Sequence, residues 1–180
     1  MEGPLTLEGV ISFLLETPLF ADLDATELAE IVKIIQVQRL RAGQTVFREG
    51  DPGDAWYVLF EGVAAVTKES AAGPGREIAR LEPPACFGEM AVIDGSARSA
   101  TIKASTDLTL FRFRRGPFQD LLEEGSLAAY KLILAMARIL SQRHRRLTQQ
   151  ISELVEREHE HTREGQSHLG DLADSYKVSE

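Results

Sequence analysis

Over residues 39–113 the chain breaks into short apolar or alternating runs, at 46–47, 56–60, 63–67, 78–81, 99–104 and 108–113. Each is too short for a stable helix and reads as a strand. Turn signals separate them: Gly50-Asp51-Pro52-Gly53-Asp54, Glu61-Gly62, Gly73-Pro74-Gly75 and Asp94-Gly95. Many short strands at close spacing predict a β-roll or barrel.

Both flanks change period. Residues 1–38 read as a helical unit. Val10, Ile11, Leu14 and Leu15 share a face, and Pro18 breaks the run. Asp24 and Glu27 then form a capping-box pattern ahead of Leu28, Ile31, Val32 and Ile35. After Gly116-Pro117, the residues Phe118, Leu121 and Leu122 mark a short helix that Gly125 ends. A long helix is expected from Leu127 onward. The fold class is mainly β with flanking helices: a jelly-roll-like β-roll over 39–115, between the N-terminal unit and C-terminal helices over 116–155.

On the long helix, Tyr130, Ala137, His144 and Ile151 alternate with Ile133, Leu140, Leu147 and Leu154 in a heptad-like seam. Such a seam serves a homodimer, or packs on its own domain. Past Val155 the pattern dissolves. Residues 152–180 carry eight acids and three Lys or Arg. A fraying helix leading into a mobile polar tail over 156–180 is the expectation.

Bulk properties exclude several classes. The 180 residues hold one domain plus an appendage. A net charge of −8 argues against a surface made for nucleic acid. The arginine cluster Arg138, Arg143, Arg145 and Arg146 is either a solvated helix face or a local basic patch. Cys86 is the single cysteine, so no internal disulfide forms and a reducing compartment fits. No leader pattern or membrane-length apolar run is visible, which points to a cytoplasmic protein without membrane contact. The histidines His144, His159, His161 and His168 all lie beyond the strand region. No metal, cofactor, nucleophile–base pair or catalytic residue is therefore expected, and the chain does not read as an enzyme.

Segment 87–102 carries the chemistry. It reads Phe87-Gly88-Glu89-Met90-Ala91-Val92-Ile93-Asp94-Gly95-Ser96-Ala97-Arg98-Ser99-Ala100-Thr101-Ile102. An ionised carboxylate only accepts hydrogen bonds, so Glu89 suits a sugar hydroxyl. A guanidinium stays charged and presents a planar fork, so Arg98 suits phosphate oxygens. Ser99 adds a neutral donor, and Gly88 lets backbone approach the sugar. The run from Met90 to Ile93 turns its other face into the core. The plainer alternative is that Glu89 and Arg98 form a surface pair.

Gly88-Glu89-Met90-Ala91-Val92-Ile93, followed after a short turn by Arg98-Ser99-Ala100-Thr101, resembles the phosphate-binding cassette of cyclic-nucleotide-binding domains. These occur in the catabolite activator family, in regulatory subunits of the cyclic-AMP-dependent kinase and in nucleotide-gated channels. Gly43, the 50–54 turn, Tyr57-Val58-Leu59 and Glu61-Gly62 resemble the same family's early strands, and Phe118 with Leu121-Leu122 its hinge helix. The resemblance implies a β-roll with an N-terminal helical unit, a hinge helix and a long C-terminal lid helix. It implies that Glu89 holds ribose, Arg98 the cyclic phosphate, and Ser99 phosphate or purine. Ala97 departs from the proline common in the family. Arg143 and His144 fall where the activator contacts adenine; a solvated charge and a seam residue are their alternatives. The implied ligand is cyclic AMP, or less readily cyclic GMP. Regulators of this family continue into a helix-turn-helix, and no such pattern follows up to Glu180. The expectation is a sensor that signals to an unknown effector protein. A ligand-independent assembly module, or a transcription regulator acting through a DNA-binding partner, are the alternatives.

Overall fold

The computed structural model describes the backbone of residues 6–70 and 73–176, and the side chains of these except 70, 73–74 and 158–176. The chain divides after Met136 into two compact units.

The first unit opens with α1 (Leu7–Glu16), capped by the Thr6 hydroxyl on the Gly9 amide. A 3₁₀ turn over Pro18–Phe20 leads to α2 (Ala25–Val32). The predicted capping box is present: Asp24 accepts from the Thr26 and Glu27 amides, and Glu27 accepts from the Asp24 amide.

Eight strands follow: β1 (Ile35–Leu40), β2 (Thr45–Phe47), β3 (Ala55–Glu61), β4 (Ala64–Ser70), β5 (Gly73–Leu81), β6 (Cys86–Phe87), β7 (Thr101–Ala104) and β8 (Leu108–Arg114). They form two antiparallel sheets, ordered β1-β8-β3-β6 and β2-β7-β4-β5. Between β6 and β7 lies a single helical turn, α3 (Met90–Ile93). After β8 come α4 (Arg115–Glu123) and α5 (Leu127–Tyr176). This is the predicted jelly-roll with its N-terminal helices and its short and long C-terminal helices.

The sheets face each other across one core. Leu40, Ala55, Tyr57, Leu59, Phe87, Ile102, Ala104, Leu108 and Leu110 fill it. The outer face of the first sheet is also covered. Trp56 stacks on Phe113 with ring centroids 3.8 Å apart, and Phe20 and Phe118 close around them. Cover on both faces is why β3 is buried continuously from Ala55 to Leu59 and does not alternate. Each such ring taken from water contributes ~1.5–3 kcal/mol.

The structure corrects several sequence boundaries. Ile35 does not extend the apolar face of α2. It starts β1, which pairs with β8 from Ile35↔Phe113 to Leu40↔Leu108. The i, i+4 spacing of Ile31 and Ile35 mimics a helix, but burial against β8 decides the conformation. Gly73-Pro74-Gly75 belongs to β5 and is not a turn. β5 is an edge strand, where proline's missing amide costs no ladder bond. β7 begins at Thr101 and not at Ser99. α4 begins at Arg115, which places Pro117 in its first turn, where no intrahelical amide bond is needed. The helical backbone of α5 continues past 155 to Tyr176. Among the described residues, no helix is long and apolar enough to cross a membrane.

Candidate functional site

Arg98 organises the site. Its side chain is only 1% exposed. Backbone bonds fix it first: its amide donates to the Asp51 carbonyl at 2.9 Å, and its carbonyl accepts from the Gly50 amide at 2.9 Å. The 50–54 turn thus clamps the cassette arginine from the opposite loop. Its Nη1 donates to the Gly88 carbonyl at 3.0 Å, and its Nη2 reaches Asp54 Oδ1 at 3.3 Å. The guanidinium lies 4.1 Å above the Phe47 ring and 5.8 Å from that of Tyr57. Its Nε is buried with no hydrogen-bond partner. A buried cation with an unmet donor marks a place for an acceptor.

Gly88 makes the approach possible. It has φ +77°, and a Cβ there would come 2.9 Å from Arg98 Nη1. Glu89 follows directly and is buried at 3% exposure. Its carbonyl accepts from the Val92 and Ile93 amides, which starts α3. The cassette thus joins the Gly88 carbonyl to Arg98 and buries both Arg98 and Glu89, the residue after Gly88. Met90 points differently: it is exposed, whereas Ala91 and Val92 are buried. Ser99 is exposed, and its carbonyl accepts from Lys68 Nζ at 2.8 Å. Lys68 also pairs with Glu49, and that contact holds the Glu49 carboxyl below its ordinary range, assisted by the Glu69 amide.

Tyr57 forms one wall, stacked on Phe87 with centroids 5.3 Å apart. Burial raises its phenol pKa, against the opposing pull of Arg112. A groove of about 610 Å³ lies among α3, α4 and the start of α5. Val92, Ile93, Phe118, Leu122, Tyr130 and Ile133 line it together with Arg115. It contains none of Glu89, Arg98 or Ser99.

Residues 37–125 match the family model described as "Cyclic nucleotide-binding domain". The N-terminal domain of a transcriptional regulator from Streptomyces coelicolor A3(2) is 35% identical, with a TM-score of 0.64 over 72% of this chain and 93% of that one. The chain belongs to the cyclic nucleotide-binding domain family. A cyclic nucleotide-binding domain from Methylobacillus flagellatus shares the fold at a TM-score of 0.68, 26% identical, over 77% of this chain and 78% of that one. The cAMP-dependent protein kinase regulatory subunit of Aspergillus niger is 38% identical over 111 residues, 62% of this chain and 26% of the relative. The chain thus spans about a quarter of that curated relative.

Arg143 and His144 are exposed on α5 in the second unit. Among the described residues no cluster of His, Cys, Asp and Glu could hold a metal ion. Phe47, Asp54 and Tyr57, which the sequence did not assign to the site, border Arg98, and Arg112 shares the Asp54 carboxylate with it. The signal for Arg112 was present. Leu108, Leu110 and Arg112 alternate on β8, and Leu108 and Leu110 face the inter-sheet core. Period two places Arg112 on that same inner wall, opposite Tyr57.

Proposed function

We propose that this chain is a receptor for a cyclic nucleotide, cyclic AMP in preference to cyclic GMP. Arg98 binds the cyclic phosphate, Glu89 accepts from the ribose 2'-hydroxyl, and Gly88 admits the sugar edge. Met90 and Ser99 border the ligand. Arg143 and His144 of α5 meet the base. The carrying observation is the buried Arg98 guanidinium with its Nε donor unmet, in a cassette that also buries Glu89. The relatives named for cAMP support the choice of nucleotide.

Output runs through α4 and α5 to a partner protein. The groove between α3 and α4 gives α4 room to approach the cassette when ligand orders it. A ligand moves such an equilibrium only by its differential affinity for the two states. The chain forms a homodimer through its α5 seam and works in the cytoplasm as a binding module, not a catalyst.

Isothermal calorimetry with each nucleotide tests the reading. Binding of cyclic AMP is expected, weakened by Arg98→Ala by about 2–5 kcal/mol, the usual cost of removing one partner of a buried charged contact. No heat from either nucleotide at about 1 mM ligand sinks it. A second reading, an assembly module that keeps the fold without a ligand, draws on one observation: Asp54 already serves Arg98 as counter-ion. Unchanged partner binding in Arg98→Ala, with no nucleotide effect, favours that reading.

A further inference from the structure

The 50–54 turn holds the Arg98 backbone, but the two residues after it are held in another way. β7 begins only at Thr101, where it pairs with Thr67 of β4. Ser99 and Ala100 therefore lie outside the ladder, and their amides are not used by a neighbouring strand. One more step of the same register would set Ala100 beside Lys68. In place of that step the Lys68 side chain reaches across. Its Nζ donates to the Ser99 carbonyl at 2.8 Å and to Glu49 Oε1. The sheet order is β2-β7-β4-β5, so Lys68 spans the line that β7 would follow, from β4 to the loop after β2. Glu49 is tied at both ends. Its amide donates to Thr101 Oγ1 at 2.8 Å, and its Oε2 accepts from the Glu69 amide at 3.0 Å. A lone pair between side chains 50% and 21% exposed contributes little. This pair differs because it closes a ring: Ser99 carbonyl, Lys68, Glu49, Thr101 and back to Ser99. Ala64 and Val66 face the inter-sheet core, and period two sets Lys68 next along the same wall.

We propose that Lys68 is a positioning residue of the ligand site: it fixes the peptide between Ser99 and Ala100 and so sets the end of the cassette against the ligand phosphate. This rests on the reading of Arg98 and Ser99 as ligand contacts. A peptide unit is planar, so a held carbonyl also holds the amide on its far side. The Arg98 carbonyl, bound by the Gly50 amide, orients the Ser99 amide in the same way. Two successive peptide planes are thus fixed through their carbonyls, and both amides stay open. A continued backbone ladder would fix the planes as firmly, but it would use up an amide. Glu49 keeps the ammonium in place. Lys68 acts through Ser99 and Ala100, without a ligand contact of its own.

The test pairs calorimetry with cyclic AMP and nitrogen-15 relaxation on the full chain. Lys68→Met is expected to bind about 3–10-fold more weakly, the range for one lost hydrogen bond. Lys68→Arg keeps a cation with several donors and should stay within about twofold of the wild type. Glu49→Gln should weaken binding in the wild-type background and have no further effect in Lys68→Met. A Lys68→Met variant of wild-type affinity overturns the proposal. So does an arginine variant as weak as the methionine one, or full additivity of the Lys68 and Glu49 changes. Relaxation gives a readout that needs no ligand. Order parameters of the Ser99 and Ala100 amides should be about 0.85 in the wild type, fall below about 0.6 in Lys68→Met and recover in Lys68→Arg. Order parameters that do not move overturn the proposal whether or not nucleotide binds. Lys68→Ala repeats each measurement if methionine disturbs the fold. If the wild type binds neither nucleotide, the receptor reading falls by itself, and the order parameters alone decide whether Lys68 holds the end of the cassette.

Discussion

Gly53 lies so close to Ala91 that a Cβ on the glycine would come within 2.1 Å of the alanine methyl. This contact joins the 50–54 turn to α3, and so joins the loop that clamps Arg98 to the helix that follows Glu89. Gly53 is not at a positive φ, so the constraint is space and not backbone conformation. Gly53→Ala should destabilise the first unit by about 1–3 kcal/mol, the range for overpacking a filled site. It should also weaken nucleotide binding, since the turn must back away from the cassette. Urea denaturation and calorimetry on the same sample check both effects. A variant of wild-type stability would show that the turn yields freely.

Trp56 and Phe113 stack at 3.8 Å with ring planes 3° apart, and both are fully buried. The pair closes the outer face of the first sheet against Phe20 and Phe118. Phe113→Ala removes one ring and leaves a cavity, at a cost of about 3–5 kcal/mol. Trp56→Phe keeps an aromatic ring and should cost less. Its indole nitrogen is buried without a partner, so removing it gives back part of the loss. Thermal and urea denaturation should rank the two variants in this order.

Much of this architecture was legible in the sequence, for physical reasons. The Asp24–Glu27 capping box is a local device, and four consecutive residues specify it. The cassette is local too, and its resemblance to a known family singled out Gly88, Glu89 and Arg98, which fold as a positive-φ glycine and two buried charged residues. What the sequence hid depends on pairing. Ile35 follows Ile31 at helical spacing, and only its ladder partner Phe113, far along the chain, makes it a strand residue. Asp54 read as a turn residue because its partners, Arg98 and Arg112, are 44 and 58 positions away. Arg112 carried a readable signal, a charge at an inward position of an alternating strand. Its meaning required knowing that Asp54 stood opposite.

The contact between Lys68 and Glu49 links β4 to the loop after β2, and Lys68 also holds the Ser99 carbonyl. Glu49 has its carboxyl pKa lowered from 4.5, first by the Lys68 hydrogen bond and then by the Glu69 amide. A depressed folded pKa means that protons bind the unfolded state more readily. The stabilisation is therefore present in full above the unfolded value and is lost as pH falls through the folded one. Acidification from about pH 5 to about pH 3 should lower the melting temperature more steeply in the wild type than in Glu49→Gln. The two proteins should differ most near neutral pH, though modestly because this pair is solvent-screened, and should converge at the acid end. Parallel melting curves across the acid range would remove Glu49 from the account.

Within the second unit, Leu147, Ile151 and Leu154 are 57–60% exposed, at the heptad positions of the predicted seam. Thr148 and Ser152 beside them return hydrogen bonds to the carbonyls one turn back, and Gln149 bonds to Glu153. The polar residues are thus satisfied within the helix, while the aliphatic stripe is left to water. Large aliphatics repeating at a and d positions gain most from a second helix bearing the same stripe. The wild type should run as a dimer in size-exclusion chromatography with light scattering at about 50 μM. The pair Leu147→Glu and Leu154→Glu should make it monomeric, since charges at the centre of such a seam repel across it. The melting transition of the first unit should not move, because neither residue belongs to it. A wild type that stays monomeric as concentration rises tenfold would show that the seam does not pair with itself.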